Sequence, residues 1–369
     1  EVVNKETGRV FRILPKKSLA ENFPNRYSDL NTLSDIQLID LQSSKSNWHS
    51  QRARVILQKR AFQNKFSKEG ILRLNDLFSK EKNEDLRLRF LWTKHITNQL
   101  PEPELIKLLN DDDPYIRSWA IQFLTEENNP TEATLKKMTS LAQKDKSPVV
   151  RLYLAAALQR MPQDKRWPII EKLVLHDDAN DPNIPLMIWF GLEPLVASQP
   201  EKAMALAAKN QLPSLNKYIA RRLVDADKTG IAINGLDQHF STKSAFLEGL
   251  LAGLEGRTDI KEPSQWSAIA GKLVKDEKNK ELVEAIAQQF GNAAAAENML
   301  AVLKNKASEI KLKQNAIVGL AKQQRETLIG EIPTLLENPD LRMEAIRAIA
   351  AFEKEDLGKL VLNKYPSLN

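Results

Sequence analysis

Four side chains in one short stretch could carry acid–base chemistry or hold a cation. They are His176, Asp178, Asp181 and Glu193, within "HDDANDPNIPLMIWFGLEPL". An imidazole beside carboxylates is the usual equipment for general acid and base work. The same donors suit calcium or a mixed His/carboxylate ion, although their spacing follows no known ion-binding loop. Elsewhere there is no Ser/His/Asp order, Gly-rich phosphate loop or nucleotide fingerprint, and "GLEGR" is too weak to count as one. The chain has no cysteine and four scattered histidines. That excludes thiolate nucleophiles, Cys-based zinc or iron–sulfur sites, and haem attachment through Cys-x-x-Cys-His.

The second candidate is a series of arginines, Arg52, Arg87, Arg117 and Arg151, at near-regular intervals. If stacked, they could line a groove that meets nucleic-acid phosphates, with Trp48, Trp92 and Trp119 as stacking faces. The net charge of +6 and pI near 9.2 would suit such a partner. The first 100 residues hold the excess, 19 Lys/Arg against 11 Asp/Glu. The plainer alternative is that each arginine pairs with an Asp-rich turn such as "DDDP" or "KNED" and joins one repeat to the next. That reading is the expected one.

The elements that would position these residues are helices. At 369 residues, 42% hydrophobic and 28% charged, the chain is too well supplied with apolar residues for disorder. Thirteen glycines and 6% aromatics are few for a β-sandwich. No apolar run reaches the ~20 residues that span a bilayer. Residue 1 is glutamate with no signal-like segment behind it, so the sequence reads as processed or excised.

One unit recurs: an acidic or proline turn, then a helix with a cation near its start. Examples are "SQRARVILQKR", "DLRLRFLWTKHI", "DPYIRSWAIQFL" and "SPVVRLYLAAALQRM", and later "EIKLKQNAIVGLA" with Lys313 and "PDLRMEAIRAIAAF" with Arg342. In the third, Asp113 can cap the helix and Pro114 suits its first turn. Ile116, Ala120, Phe123 and Leu124 then form one apolar stripe. Ser147 and Pro148 repeat the device. One such helix pair does not bury its own apolar face, so stacking is obligatory. The expected fold is all-α: a HEAT-like α-solenoid, a right-handed superhelix of antiparallel helix pairs. A short N-terminal extended segment, "TGRVFRIL" (Thr7–Leu14), precedes it. The expected divisions are 1–30 as tail and linker, 31–225 and 243–369 as repeats, and 226–242 as an irregular linker.

Within that scheme the opening stretch should be a joint. Asp181 or Asn183 would cap a helix from Leu186 to Val196 that is buried on all sides, kinked at Pro194 and eased by Gly191. Asp177, Asp178 and Asp181 would form an exposed turn. Glu193, on the face of Trp189, would be a buried anchor paired with Arg221 or Arg222 of "YIARRL".

In their order, "LSDIQLIDLQSSKSNWHSQRARVILQKR", "DPYIRSWAIQFL", "KSPVVRLYLAAALQRMP", "HDDANDPNIPLMIWFGLEPLV" and "YIARRL" resemble one bacterial family of secreted multidomain proteins. These are the membrane-bound dehydrogenase, or haem-binding-domain, proteins. In that family a quinoprotein-type β-propeller precedes HEAT-like repeats and a c-type cytochrome follows them. "TGRVFRIL" resembles the last propeller strand. The absence of Cys-x-x-Cys-His means that no cytochrome module is expected here, and with only the last propeller strand recognisable no catalytic or quinone-binding residue of the family carries over. The resemblance implies a non-catalytic spacer without its own cofactor, docked to an upstream propeller and a downstream domain. It also implies a periplasmic or extracellular setting.

Overall fold

The computed structural model describes residues 28–237, 242–257, 260–352 and 354–365. The expected strand Thr7–Leu14 lies outside them. The chain divides into two compact units between Leu124 and Thr125.

The first unit contains α1 (Asp35–Asp40), α2 (Asn47–Phe62), α3 (Lys68–Lys80), α4 (Glu84–Ile96), α5 (Glu102–Leu108) and α6 (Pro114–Leu124). Helices pair in sequence, and like packs on like: α1 meets α3, α2 meets α4, and α4 meets α6. The starts are written into the sequence. Ser34, Ser46, Ser67 and Asn83 each accept a first-turn N–H, and Ser34 with Gln37 makes a full capping box. Asn64 and Asn98 end α2 and α4 in the left-handed region, with φ of 57° and 58°.

The second unit continues with α7 (Glu132–Lys144), α8 (Pro148–Ala157), α9 (Trp167–Leu173), α10 (Ile184–Ser198), α11 (Pro200–Lys209) and α12 (Pro213–Asp225). Then come α13 (Thr229–Gly235), α14 (Lys243–Leu254), α15 (Trp266–Leu273), α16 (Glu277–Lys304), α17 (Ile310–Lys322), α18 (Ile332–Glu337), α19 (Arg342–Ile349) and α20 (Glu355–Lys364). One layer runs α8, α10, α12, α14, α16; α7 packs on α9, and α11 on α13 and α13 on α15, on the other side. The core lies between the layers. In α8, Val150, Leu154 and Ala155 are fully buried, as is Leu158 just after it, and truncating such a leucine typically costs ~2–5 kcal/mol. Helices α12 and α14 approach closely, so that a Cβ on Gly249 would land on the Lys217 carbonyl oxygen. One on Gly253 would stand 2.8 Å from Val224 Cβ.

Two features differ from the sequence reading. Within 226–242, expected as an irregular linker, Thr229–Gly235 forms α13, which packs on α11 and α15. Its two glycines cost helix propensity, but Ala232 and Ile233 bury fully and outweigh that. The stripe on α6 is also narrower than expected: Ile116, Ala120 and Ile121 are buried, whereas Phe123 and Leu124 are partly exposed. Among the described residues no helix is long and apolar enough to cross a membrane.

Candidate functional site

The side chains from the His176–Glu193 stretch do not converge. His176 Nε2 lies 2.7 Å from the Ala142 carbonyl. Asp181 Oδ1 accepts the N–H groups of Asn183 and Ile184, both at 2.8 Å, and so caps α10. Glu193 Oε1 lies 2.5 Å from Arg222 Nε. That N–H makes no hydrogen bond, so the contact is a charge pair. Arg221 is exposed. Among the described residues no group of three or more His, Asp or Glu side chains is placed to hold a metal ion.

Burial reverses the expected roles of the acids. Asp178, expected in an exposed turn, is only 5% exposed. Arg151 donates to both its oxygens, Nε to Oδ2 at 2.6 Å and Nη2 to Oδ1 at 2.5 Å. A third N–H of Arg151 reaches the Asp145 carbonyl at 3.1 Å. Glu193, the expected buried anchor, has a side chain 40% exposed. The physical reason is the face of α10. Ile184, Ile188, Leu192 and Leu195 point inward, which turns Leu186, Phe190 and Glu193 to the surface. The helix is therefore not buried all round.

Helix α10 nevertheless runs unbroken through Pro194. Proline removes one ladder donor, and Arg166 Nη1 donates to the Gly191 carbonyl at 3.0 Å beside that gap. Gly191 is required there because a Cβ would stand 2.5 Å from Leu158 Cβ.

The same device as Arg151 appears earlier. Arg87 grips Asp111 with two bonds of 2.9 and 2.7 Å, and Asp111 Oδ1 also accepts the Asp113 N–H at 3.0 Å. Burial would raise the Asp111 pKa, but the Arg87 hydrogen bonds and that N–H outweigh it and hold the carboxyl below its ordinary range. Hydrogen bonding to Asp111 holds Arg87 above its own, and Asp178 does the same for Arg151. Arg117 Nη1 reaches the Asp111 carbonyl at 2.8 Å, as Arg151 reaches that of Asp145 and Arg342 that of Leu336. In each case the acceptor lies six residues upstream.

At α12 the position of the arginine is taken by Asn216. Its amide donates to the Ala207 carbonyl and to Thr242 Oγ1, while its oxygen accepts from Asn210. All the asparagine atoms are buried, so this is an uncharged version of the same joint.

Arg52 stands apart: it is exposed, and Arg54 and Arg60 do the joining in α2. Arg60 binds Asp35 at 2.6 Å and the Asn31 and Leu33 carbonyls. Arg54 donates to Gln42 Oε1 and lies 5.3 Å from the Trp92 ring. Arg89 closes the cluster on the Gln42 and Ser44 carbonyls. Trp92 meets Trp119 edge-on at 5.2 Å, and His95 stacks on Phe123 at 3.7 Å. Sequence reasoning missed Gln42, Asn216 and the burial of Asp178. The interval was the available signal: an aspartate follows Arg87 and Arg151 by 24 and 27 residues.

Helices α10 and α12 share an aromatic patch at the surface. Leu186 and Phe190 are 37% and 44% exposed, and Trp189 tilts against Tyr218 at 5.3 Å between centroids. Glu193–Arg222 borders it, with Arg221 alongside.

Residues 102–182 match the HEAT repeats family. The fold is all-α and HEAT-like. Among solved structures the chain is similar to an engineered protein, with a TM-score of 0.34 and 15% identity, covering 87% of this chain and 100% of that one. It is also similar to Kap121p bound to Ste12p, with a TM-score of 0.36 and 13% identity, covering 90% of this chain. It spans 46% of the length of that protein. No curated protein matches it.

Proposed function

We propose that the chain is a non-catalytic helical-repeat scaffold that docks protein surfaces, with the α10–α12 patch as one contact. The observation that carries this is the division of labour among its polar groups. The chemically capable side chains are consumed in joints between helices: Asp178 by Arg151, Asp181 by the start of α10, and Asp111 by Arg87. Aromatic and aliphatic side chains, the usual anchors of protein interfaces, are left outside. A stacked helical array is well suited to presenting such a surface.

The finer reading rests on the family resemblance. It makes the chain a spacer between a quinoprotein-type propeller and a downstream domain, in a periplasmic or extracellular protein, with those domains as its partners. Photo-crosslinking from p-benzoylphenylalanine at position 190, in the natural host, tests both levels. Crosslinks to a flanking domain of the same polypeptide support the spacer. Crosslinks to a separate protein support docking but remove the spacer role. No crosslink from 190, with efficient incorporation, removes the patch as a contact.

The nucleic-acid alternative has less to stand on, since Arg151 is buried and Arg87 is held by Asp111. A gel shift across a salt series checks it: binding that weakens steeply with salt would restore it.

A further inference from the structure

Helix α2 carries a second exposed pattern, in the other unit and unrelated to the patch on α10 and α12. Its inner face, Ala53, Ile56 and Leu57, is buried against its neighbours. On the outer face Trp48, Val55 and Phe62 are 58%, 53% and 88% exposed. These three recur every seven residues, and exposed Arg52 and Lys59 fall four residues after the first two. The result is one strip in which apolar knobs and cations alternate, about 21 Å long at 1.5 Å per residue. The helix contains no acidic residue in its sixteen.

We propose that this strip docks an acidic amphipathic helix of a partner protein. A seven-residue recurrence is the spacing at which one helix meets another along a continuous seam. Trp48 and Phe62 supply large apolar area, and Phe62 gains most by being covered. Arg52 and Lys59 flank the seam as cations and so select glutamates or aspartates on the facing helix. A second copy of this chain fits poorly, because antiparallel pairing would bring Arg52 against Lys59. Nucleic acid fits poorly too: a duplex carries a charge about every 1.7 Å, and this strip offers two cations over its whole length.

The test uses the full chain and a fluorescein-labelled 21-residue helical peptide with leucines at the heptad core and glutamates beside them. Fluorescence anisotropy is the readout, and a lysine-flanked peptide is the control. The expected result is saturable binding of the acidic peptide, weakened by salt, with the control at least tenfold weaker. Phe62→Asp and Lys59→Glu should each lower affinity about tenfold or more, with melting temperature unchanged because both side chains are exposed. Phe190→Ser should leave binding intact, so failure of the α10–α12 patch does not decide this one. Equal binding of both peptides, or insensitivity to Phe62→Asp, overturns the proposal. So does a salt-sensitive complex with a 20-nucleotide oligomer that displaces the peptide. A dimer by light scattering that Phe62→Asp dissociates would assign the strip to a second copy instead.

Discussion

Asp178 and Glu193 lie on the same repeat, and each meets an arginine at 2.5 Å. Asp178 is held by a two-pronged fork whose arginine is itself tied to a backbone carbonyl, and both partners are buried. Glu193 and Arg222 keep 40% and 31% of their side-chain surface. Distance therefore does not rank the two. Desolvation does: a buried charge left without its partner is costly, whereas an exposed one returns to water. Asp178 is a structural rivet, and Glu193 is a removable border of a surface patch.

The largest expected effect comes from breaking the buried fork. Arg151→Met leaves Asp178 enclosed without its cation and should cost ~3–5 kcal/mol. At the scale of this unit that is a fall in melting temperature of roughly 6–12 °C by calorimetry. The double variant Arg151→Met/Asp178→Leu should recover most of the loss. If the double variant is as unstable as the single, the fork is not an isolated pair and its contrast with Glu193 fails.

Next is the uncharged joint. Asn216→Ala strands the Asn210 amide and the Ala207 carbonyl, which should cost ~1–3 kcal/mol, measured by urea unfolding. A smaller loss than that would mean that water enters the seam once the side chain is gone.

The acid limb of the stability curve sharpens the comparison further. Hydrogen bonds and charge lower Asp111 and Asp35 in the folded chain against the opposing effect of burial. A depressed folded pKa means that the stabilisation is fully present above the unfolded value. It is lost as pH falls through the folded one. Urea unfolding from pH 6 to pH 2 should therefore show a steady decline below about pH 4. Arg87→Met, which raises the Asp111 pKa, should flatten that limb.

Smallest is Glu193→Gln. Between partly exposed partners the pair is worth about 0–1 kcal/mol, less in high salt. A loss comparable to Arg151→Met would place Glu193 among the rivets after all.

The helices and their stacking were legible because the signals are local: capping Ser and Asn, proline in the first turn, and aliphatics at 3.6-residue spacing. The joints were half legible. Arg87 with the "DDDP" turn could be read as a pair, because charge complementarity survives in one dimension. Which acid of "HDDAND" turns inward was not legible. Asp177, Asp178 and Asp181 share a chemistry, and only the position of Arg151 on the preceding repeat separates them. The face of α10 was misread for a related reason. Its composition is apolar throughout, so periodicity had little contrast to report, and packing against α8 and α12 decided which residues stayed out. Asn216 lacked any signal, since a lone asparagine mid-helix resembles a surface residue.

The joints have one more consequence, and it concerns time rather than strength. Arg87 reaches Asp111 across 24 residues, Arg151 reaches Asp178 across 27, and Asn216 reaches Thr242 across 26. Each closure spans less than one repeat, so none waits for a distant part of the chain to arrive. Topologies built from such near-neighbour pairings fold rapidly, and order can spread from whichever repeat forms first. The polar groups that look like interruptions of an apolar stack are then its pacing marks, each one registering a newly formed repeat on the last.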